Sequence, residues 1–451
     1  MRGKIDCFMA CAASGGMAPL VTVLRDSRTV HDITLVMTAG QAADGGVPDG
    51  CAVMAVGRMT SSETLREVAA RATAEYVLML TRPVELNLCQ GALQRLLRVA
   101  ADSGAAMVYS DHWEIRQGER MAHPVIDYQE GSVRDDFDFG SLLLIKTELL
   151  HRYAAEAASA SYEYAGLYDL RLFLSREGQL FHINEYLYTE EETDLRASGV
   201  KQFDYVNPAN REVQIEMEQA VTAHLSVIGA RIDTSDYICP DFEEQDFPVE
   251  ASVIIPVRNR VKTISDAIGS ALNQKTDFPY NVIVVDNHST DGTTEAIQAM
   301  MNDSSLVHII PSRTDLGIGG CWNVAVGDSR CGRFAVQLDS DDLYSSEHTL
   351  QKVVDAFRSQ KAAMVIGSYR MCDFELNTLP PGLIAHREWT DENGPNNALR
   401  INGLGAPRAF FTPLLRQIQL PNTSYGEDYA LGLIFSRRYR IGRIYDELYL
   451  C

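Results

Sequence analysis

Three carboxylates stand at the end of one apolar run, Phe334-Ala335-Val336-Gln337-Leu338-Asp339-Ser340-Asp341-Asp342. An extended chain sends residues i and i+2 to the same side, so Asp339 and Asp341 are expected to point together from the carboxyl end of a buried strand. Paired carboxylates repel unless a cation sits between them, and hard oxygen ligands suit Mg2+ or Mn2+. A divalent cation at such a strand end would serve a phosphate. The plainer reading is a solvated acidic turn leading into the next helix, with Ser345 or Ser346 as N-cap.

A second apolar run, Val282-Ile283-Val284-Val285-Asp286, ends the same way. In an open parallel sheet the ligand lies beyond the carboxyl ends of the strands, where strand order reverses. Asp286 before Asn-His-Ser also has the pattern of a turn former bonding its own backbone. A third acidic pair, Glu427-Asp428, follows Gly426 at the head of an apolar helix carrying Leu431, Leu433, Ile434 and Phe435. A carboxylate within reach of a hydroxyl can take its proton during bond formation. The same placement lets Glu and Asp stabilise a first helical turn through the macrodipole.

The elements that would position these groups alternate. Ser252 to Pro256 is a β-branched strand, Val261 to Gln274 an amphipathic helix, and Val282 to Asp286 a second strand. Thr294 to Met301 is a helix and Leu306 to Ile310 a third strand. Upstream, Ile5 to Met9, Ile33 to Met37, Tyr76 to Leu80 and Ala106 to Tyr109 read as strands. Ser62 to Ala72 and Leu88 to Ala101 read as helices, by apolar spacing of three and four. This βα alternation implies a mainly parallel sheet. Between the two α/β segments, Thr189 to Asp194 is an acidic run read as a solvated connection. Glu212 to Ile228 has helical periodicity, and Asp241 to Pro248 reads as an acidic linker closed by proline. The expected domains are therefore 1–190 and 249–451, with a linker and connecting helix over 191–248.

At 451 residues the chain is too long for one ordinary domain. Its formal charge of −21 argues against nucleic acid and against electrostatic attachment to anionic membranes. No apolar run is long enough to span a bilayer and no signal peptide opens the chain. The nine scattered cysteines lack a CxxC pair, which favours reduced thiols and disfavours a structural zinc. A cytoplasmic location follows as the expectation, with peripheral contact at the inner face of a membrane allowed.

Residues 252–342 resemble the nucleotide-binding half of a family 2 glycosyltransferase of the GT-A fold. The matching pieces are Ser252-Val-Ile-Ile-Pro-Val-Arg-Asn259, Val282-Ile-Val-Val-Asp-Asn-His-Ser-Thr-Asp-Gly-Thr293, Gly317 to Asn323 and Leu338-Asp-Ser-Asp-Asp342, in the family's order and spacing. Each piece is weak alone; four in order are specific. The resemblance covers most of 250–451. It implies that the loop Pro256-Val257-Arg258-Asn259, together with Asp286, holds the nucleobase and ribose. It implies that Asp339 binds ribose, that Asp339 and Asp341 bind the metal on the diphosphate, and that Asn323 belongs to the donor site. It also implies that Asp428, with Glu427 beside it, is the base that deprotonates the acceptor. The donor is expected to be a nucleotide-sugar, UDP-linked, and the acceptor a polysaccharide or glycolipid hydroxyl. The transfer is expected to be an inverting single displacement dependent on Mg2+ or Mn2+.

The chain departs from the family at three places. Cys321-Trp322-Asn323 stands where Ala-Arg-Asn is common, which leaves Arg258 or Arg313 to supply that cation. Asp315 stands where asparagine is usual. The chain stops at Cys451, just after a late strand, where relatives continue, so it reads as truncated. His386 and Trp389 are an extra metal ligand and a sugar-stacking ring on one reading, a satisfied loop histidine and a half-buried core residue on the plainer one.

The first segment reads as a decayed copy of the second. Glu75 to Pro83 lines up with Arg333 to Asp341, Ala106-Met107-Val108 with Ala363-Met364-Val365, and Ser175–Tyr188 with Ser436–Tyr449. Thr81 and Pro83 then stand in place of the metal aspartates, and Gly166 and Leu167 in place of Glu427 and Asp428. A small shift would bring Asp169 to the base position instead. The fold expected is α/β, two GT-A-like (Rossmann-like, doubly wound, mixed-sheet) domains in tandem, with only the second catalytic. The competing functions are a non-catalytic nucleotide-sugar or glycan-binding protein and a sugar-phosphate nucleotidyltransferase. The latter needs a glycine-rich, lysine-bearing loop after the first strand, and Val257-Arg258-Asn259-Arg260 is not one.

Overall fold

The computed structural model describes residues 4–11, 17–38, 40, 47–156, 161–191, 210–387, 389–390, 393–401 and 403–451. The chain forms two compact units, Met1–Gln202 with Glu212–Ala230 and Phe203–Arg211 with Arg231–Cys451. In the first, the strands are β1 (Ile5–Ala10), β2 (Val30–Thr38), β3 (Ala52–Val56), β4 (Tyr76–Leu80), β5 (Leu86–Leu88), β6 (Met107–Arg116), β7 (Glu119–His123), β8 (Leu142–Lys146) and β9 (Leu180–Glu191). They lie in the order β3-β2-β1-β4-β8-β6-β9-β5, with β7 on β6.

The second unit carries β10 (Ala251–Val257), β11 (Tyr280–Asp286), β12 (Leu306–Ile309), β13 (Phe334–Gln337), β14 (Leu343–Tyr344), β15 (Met364–Cys372), β16 (Thr378–Ile384), β17 (Arg408–Phe411) and β18 (Ile441–Leu450). Their order is β12-β11-β10-β13-β17-β15-β18-β14, with β16 on β15. Strand for strand the two orders are identical. The registers agree too. Ile5 pairs with Tyr76 as Ala251 pairs with Phe334, and Met107 with Leu180 as Met364 with Ile441. The duplication is thus visible in topology and pairing.

The sheets are mixed rather than mainly parallel. In each, four strands run parallel and the fifth, β8 or β17, enters antiparallel. Strand order reverses beside β1 and β10: β1 is flanked by β2 and β4, and β10 by β11 and β13, so successive strands are added first on one side and then on the other. That reversal opens the crevice in which ligands of doubly wound sheets bind. Each sheet has a buried cluster on either face. In the second unit one face joins Val253, Ile255 and Val336 to the helix Ile264–Leu272, and the other joins Ile254, Ile283 and Ala335 to Trp322 and Phe435.

The segment 191–248 divides between the units. The helix Arg211–Val227 packs Ala220, Val221 and Leu225 onto Tyr162, Tyr168 and Leu172 of the first unit. Its Glu216 accepts hydrogen bonds from the backbone N–H groups of Glu163, Tyr164 and Ala165 (3.0, 2.6 and 3.1 Å), fastening the turn that leads into the helix Gly166–Glu177. The stretch 241–248 lies along the second unit, where Phe242 packs edge-on against Phe334 and Phe411. Within the acidic run, Glu190 is not solvated: it belongs to β9, is buried, and pairs with Arg82. Residues 192–194 of that run lie outside the described residues. The predicted helix at 88–101 is Ala92–Ser103, because Leu86–Leu88 is used as a short strand. No helix among the described residues is long and apolar enough to cross a membrane.

Candidate active site

A cavity of 420 Å³ opens in the second unit at the switch point. Among its lining residues are Asp339, Asp341, Glu427 and Asp428, so the two acidic pairs, far apart in sequence, meet across one space. Asp339 and Asp341 do not leave an extended strand. The strand ends at Gln337, and a tight turn closes with Asp342 N–H donating to the Asp339 carbonyl (3.2 Å). The turn is held from the late strand, because the hydroxyl of buried Tyr449 accepts from Asp339 N–H (2.7 Å). It does not run into the next helix. Leu343–Tyr344 forms a strand first, and the helix Thr349–Gln360 starts from His348, so neither Ser345 nor Ser346 is its N-cap.

Two polar residues wire the acids together. Gln337 Nε2 donates to both carboxylate oxygens of Asp339 (3.1 and 2.9 Å), and Gln337 Oε1 accepts from Arg408 Nη1 (3.1 Å). Arg408 Nη2 pairs with Asp428 Oδ2 (2.5 Å), and Arg408 Nε donates to the Leu404 carbonyl (2.6 Å). Burial raises the carboxyl of Asp339 above its ordinary range, opposed by Gln337 and Arg408 and reinforced by Asp341 and Asp428. Burial likewise raises Glu427, with Asp428 adding to it. One oxygen of Glu427, Oε2, is buried without a hydrogen-bond partner. Buried polar atoms are ordinarily satisfied, so this oxygen is an open acceptor on a residue that lines the cavity.

The donor set fits a divalent cation of the Mg2+ or Mn2+ kind. Asp339 and Asp341 both line the cavity, and no group of three or more His, Cys, Asp or Glu able to hold a metal occurs among the described residues. A metal bound through one or two carboxylates completes its shell with water and phosphate.

The other predicted residues separate into two groups. Pro256, Val257 and Arg258 line the cavity. Asp286, Asn259 and Asn323 do not. Asp286 is wholly buried and accepts from Ser289 N–H (3.0 Å) and the Thr294 hydroxyl. Burial alone would raise its carboxyl; those two hydrogen bonds outweigh burial and hold it low. It organises the loop after β11, as the turn-former reading had it. Asn259 accepts from Thr290 N–H (2.8 Å), and Asn323 exchanges two hydrogen bonds with Leu420 (2.8 and 2.9 Å). Both fasten loops. Trp389 is a core residue beneath the Arg443 guanidinium, 4.6 Å from its ring, and His386 is buried against Tyr369; neither lines the cavity. Arg313 is forked onto Asp315 (2.9 and 2.7 Å), away from the cavity.

Sequence reasoning passed over Asn287, Gln337, Arg260, Trp322 and Arg408, all of which line the cavity. Asn287 Nδ2 donates to the Leu316 carbonyl (2.8 Å), which leaves its buried Oδ1 without a partner. Gln337 and Arg408 carried one available signal, a polar residue at the end of an otherwise apolar strand. The glycines of Gly317 to Gly320 serve close packing. A Cβ on Gly319 would lie 2.0 Å from the Pro421 carbonyl oxygen. The loop that presents Glu427 therefore seats directly on this turn.

The matching crevice of the first unit has lost these groups. Thr81 and Pro83 occupy the turn after β4, and Arg82 between them pairs with buried Glu190. The helices Gly166–Glu177 and Glu427–Arg438 correspond end to end, which leaves no shift to bring Asp169 to the base position. Asp169 accepts from the Tyr153 hydroxyl (3.0 Å) instead, its carboxyl raised by burial.

A doubly wound sheet with an aspartate pair at its switch point, faced by a second acidic pair on a helix start, is the layout of a group-transfer enzyme acting on a phosphate-linked donor. Residues 252–416, within the second unit, match the model of Glycosyl transferase family 2. The two units share one doubly wound strand order. The chain is similar to the putative teichuronic acid biosynthesis glycosyltransferase TuaG of Bacillus subtilis, 26% identical over 183 residues, 40% of this chain and 70% of TuaG. It is 35% identical over 103 residues to the poly(ribitol-phosphate) beta-N-acetylglucosaminyltransferase TarS of Staphylococcus aureus, 22% of this chain and 17% of TarS. Among solved structures, S. aureus TarS 1–349 in complex with UDP overlaps with a TM-score of 0.36 at 23% identity, over 45% of this chain and 60% of that one.

Proposed function

We propose that the second unit transfers a sugar from a nucleotide-sugar, a UDP-sugar, to a hydroxyl of a polysaccharide or glycolipid acceptor. The observation that carries this is the convergence of Asp339, Asp341, Glu427 and Asp428 on one cavity at the switch point of a family 2 sheet. That TarS is named for transfer of N-acetylglucosamine, and was solved with UDP, supports the donor class. The base and ribose lie against the loop Pro256–Arg258, and the orphaned Oδ1 of Asn287 accepts from a donor on the base. Asp339 and Asp341 hold the divalent cation, which when bound neutralises the departing diphosphate. Asp428 takes the proton of the acceptor hydroxyl as it attacks the anomeric carbon from the face opposite the diphosphate, inverting it. Glu427, with its unpartnered oxygen, accepts from a hydroxyl of the sugar being moved. The first unit transfers nothing.

The test is a panel of nucleotides and nucleotide-sugars with and without Mn2+, read by thermal shift and by release of nucleoside diphosphate. A ligand that binds only the folded protein raises its melting temperature. The reading requires one UDP-sugar to bind, with metal, and to be consumed when acceptor is supplied. Binding without turnover across a full acceptor panel would return the protein to the class of non-catalytic binders.

A further inference from the structure

The cavity must accept a diphosphate although four carboxylates face it, so its cations decide whether an anion can enter. Arg408 is fully engaged: its three nitrogens reach Leu404, Gln337 and Asp428. Trp322, at the place where the family resemblance led us to look for an arginine, is buried and packs edge-on against Phe410 at 5.9 Å. Arg313 is committed to Asp315. The cavity's remaining cations come from the loop after β10, as Arg258 and Arg260. Arg260 is placed in a telling way. Its Nε lies 3.2 Å from Oδ2 of Asp341, a residue expected to ligate the metal, and its Nη1 donates to the Asn259 carbonyl (3.3 Å). The side chains of the pair are half exposed, at 50% and 41%, so the contact is easily exchanged.

We infer that Arg260 is a two-position residue: it neutralises Asp341 while the site is empty and moves onto the donor diphosphate once a divalent cation takes Asp341. A guanidinium and a metal ion compete for one carboxylate oxygen, because their like charges repel at bonding distance. The displaced guanidinium keeps its place in the same cavity, beside Arg258, and its planar fork matches phosphate oxygens. This inference rests on the proposed nucleoside-diphosphate donor and adds to it the residue that substitutes for the missing cation at Trp322.

The consequence is a pair of effects with opposite signs. Arg260→Ala removes a competitor from Asp341, so Mn2+ alone should bind tighter, by up to about fivefold for an exposed ion pair. The same substitution removes a charge-assisted contact to the diphosphate, so UDP in saturating Mn2+ should bind weaker by about tenfold or more. Uridine, which has no phosphate, should bind both proteins alike. Arg260→Lys, which keeps the charge without the fork, should fall between on both readouts. The measurements are Mn2+ binding by electron paramagnetic resonance and UDP and uridine binding by calorimetry, on the full chain. Metal and UDP affinities that move in the same direction, or a UDP affinity unchanged in Arg260→Ala, would overturn the inference. Wild-type protein that binds neither UDP nor uridine would instead overturn the proposed function on which it stands.

Discussion

Replacing Asp428 by asparagine separates two roles that the structure joins in one side chain. Asp428 Oδ2 is the partner of Arg408, and the same carboxylate is the proposed base. Loss of a general base lowers the rate by about 10²–10⁴-fold, or roughly 2.7–5.5 kcal/mol of barrier. Loss of the ion pair is a smaller matter. The Asp428 side chain is 32% exposed, and Arg408 keeps its bonds to Leu404 and Gln337, so stability should fall by about 1 kcal/mol or less. The assay is release of nucleoside diphosphate from the UDP-sugar found in the binding panel, beside thermal melts and UDP calorimetry. Asp428→Asn should melt within a few degrees of wild type and bind UDP normally, yet lose transfer by the full factor. Arg408→Gln breaks the same ion pair and leaves the carboxylate, so it should retain far more transfer. If the two variants lose transfer equally, the ion pair and not the proton acceptor is what matters. Near-normal transfer by Asp428→Asn would move the role to Glu427.

Chelation should weaken UDP binding, and Asp341→Ala should abolish its metal-dependent part without unfolding the chain; equal affinity with and without Mn2+ in the wild type would sink the metal assignment. Calorimetry should find one metal-dependent UDP site per chain, and a second site would contradict the reading of the first unit. A pH effect is expected at His224, whose ring is lowered to about 4 by burial, with Arg176 and Arg171 adding to it. The unfolded chain protonates this ring near 6.5 while the folded chain does not, so its contribution is present above about 6.5 and is lost as pH falls towards about 4, by at most roughly 3 kcal/mol. Hydrogen exchange in the helix Arg211–Val227 should rise over that window in wild type and respond less in His224→Gln; identical pH responses would refute it.

The acids were legible because Asp286 and Asp339 close contiguous apolar runs and Glu427-Asp428 opens an apolar helix, patterns that survive without knowledge of the fold. Their wiring was not. Gln337 and Arg408 are 71 positions apart, and only the antiparallel pairing of Val336 with Ala409 sets them side by side. Asp286 and Asn287 show the limit at one-residue scale. Strand ends are where alternation gives way to turn geometry. Asp286 turned into the loop it organises, and Asn287 faced the cavity. In the first unit, Leu142–Lys146 is a run of four apolar residues with no period to separate strand from buried helix. Its identity as β8 follows from pairing with β4, as that of β17 follows from β13.

Two copies with the same strand order and register need not be equally repairable, and here the difference lies in a glycine. Gly166 holds the place of Glu427, but a Cβ on Gly166 would lie 2.4 Å from Ser62 N and 2.6 Å from the Ser61 carbonyl carbon. Both are backbone atoms, held because Ser61 caps the helix Ser62–Arg71 and Ser62 N–H donates to the Tyr162 carbonyl (2.8 Å). Nothing there can give way as a flexible side chain would. At the matching position of the second unit Glu427 carries a full side chain at the start of its helix, so the crowding is particular to the decayed copy. Gly166→Ala should therefore destabilise the first unit by about 1–3 kcal/mol through overpacking, read as a lowered melting transition. A glutamate at this position should be worse still. An alanine variant as stable as wild type would show that this backbone yields, and the loss of the acid would then be no barrier to restoring it. If the destabilisation is found, the first unit has lost its acid by repacking of the chain around the vacant position, and substitutions at Thr81, Pro83 and Leu167 alone would not bring transfer back.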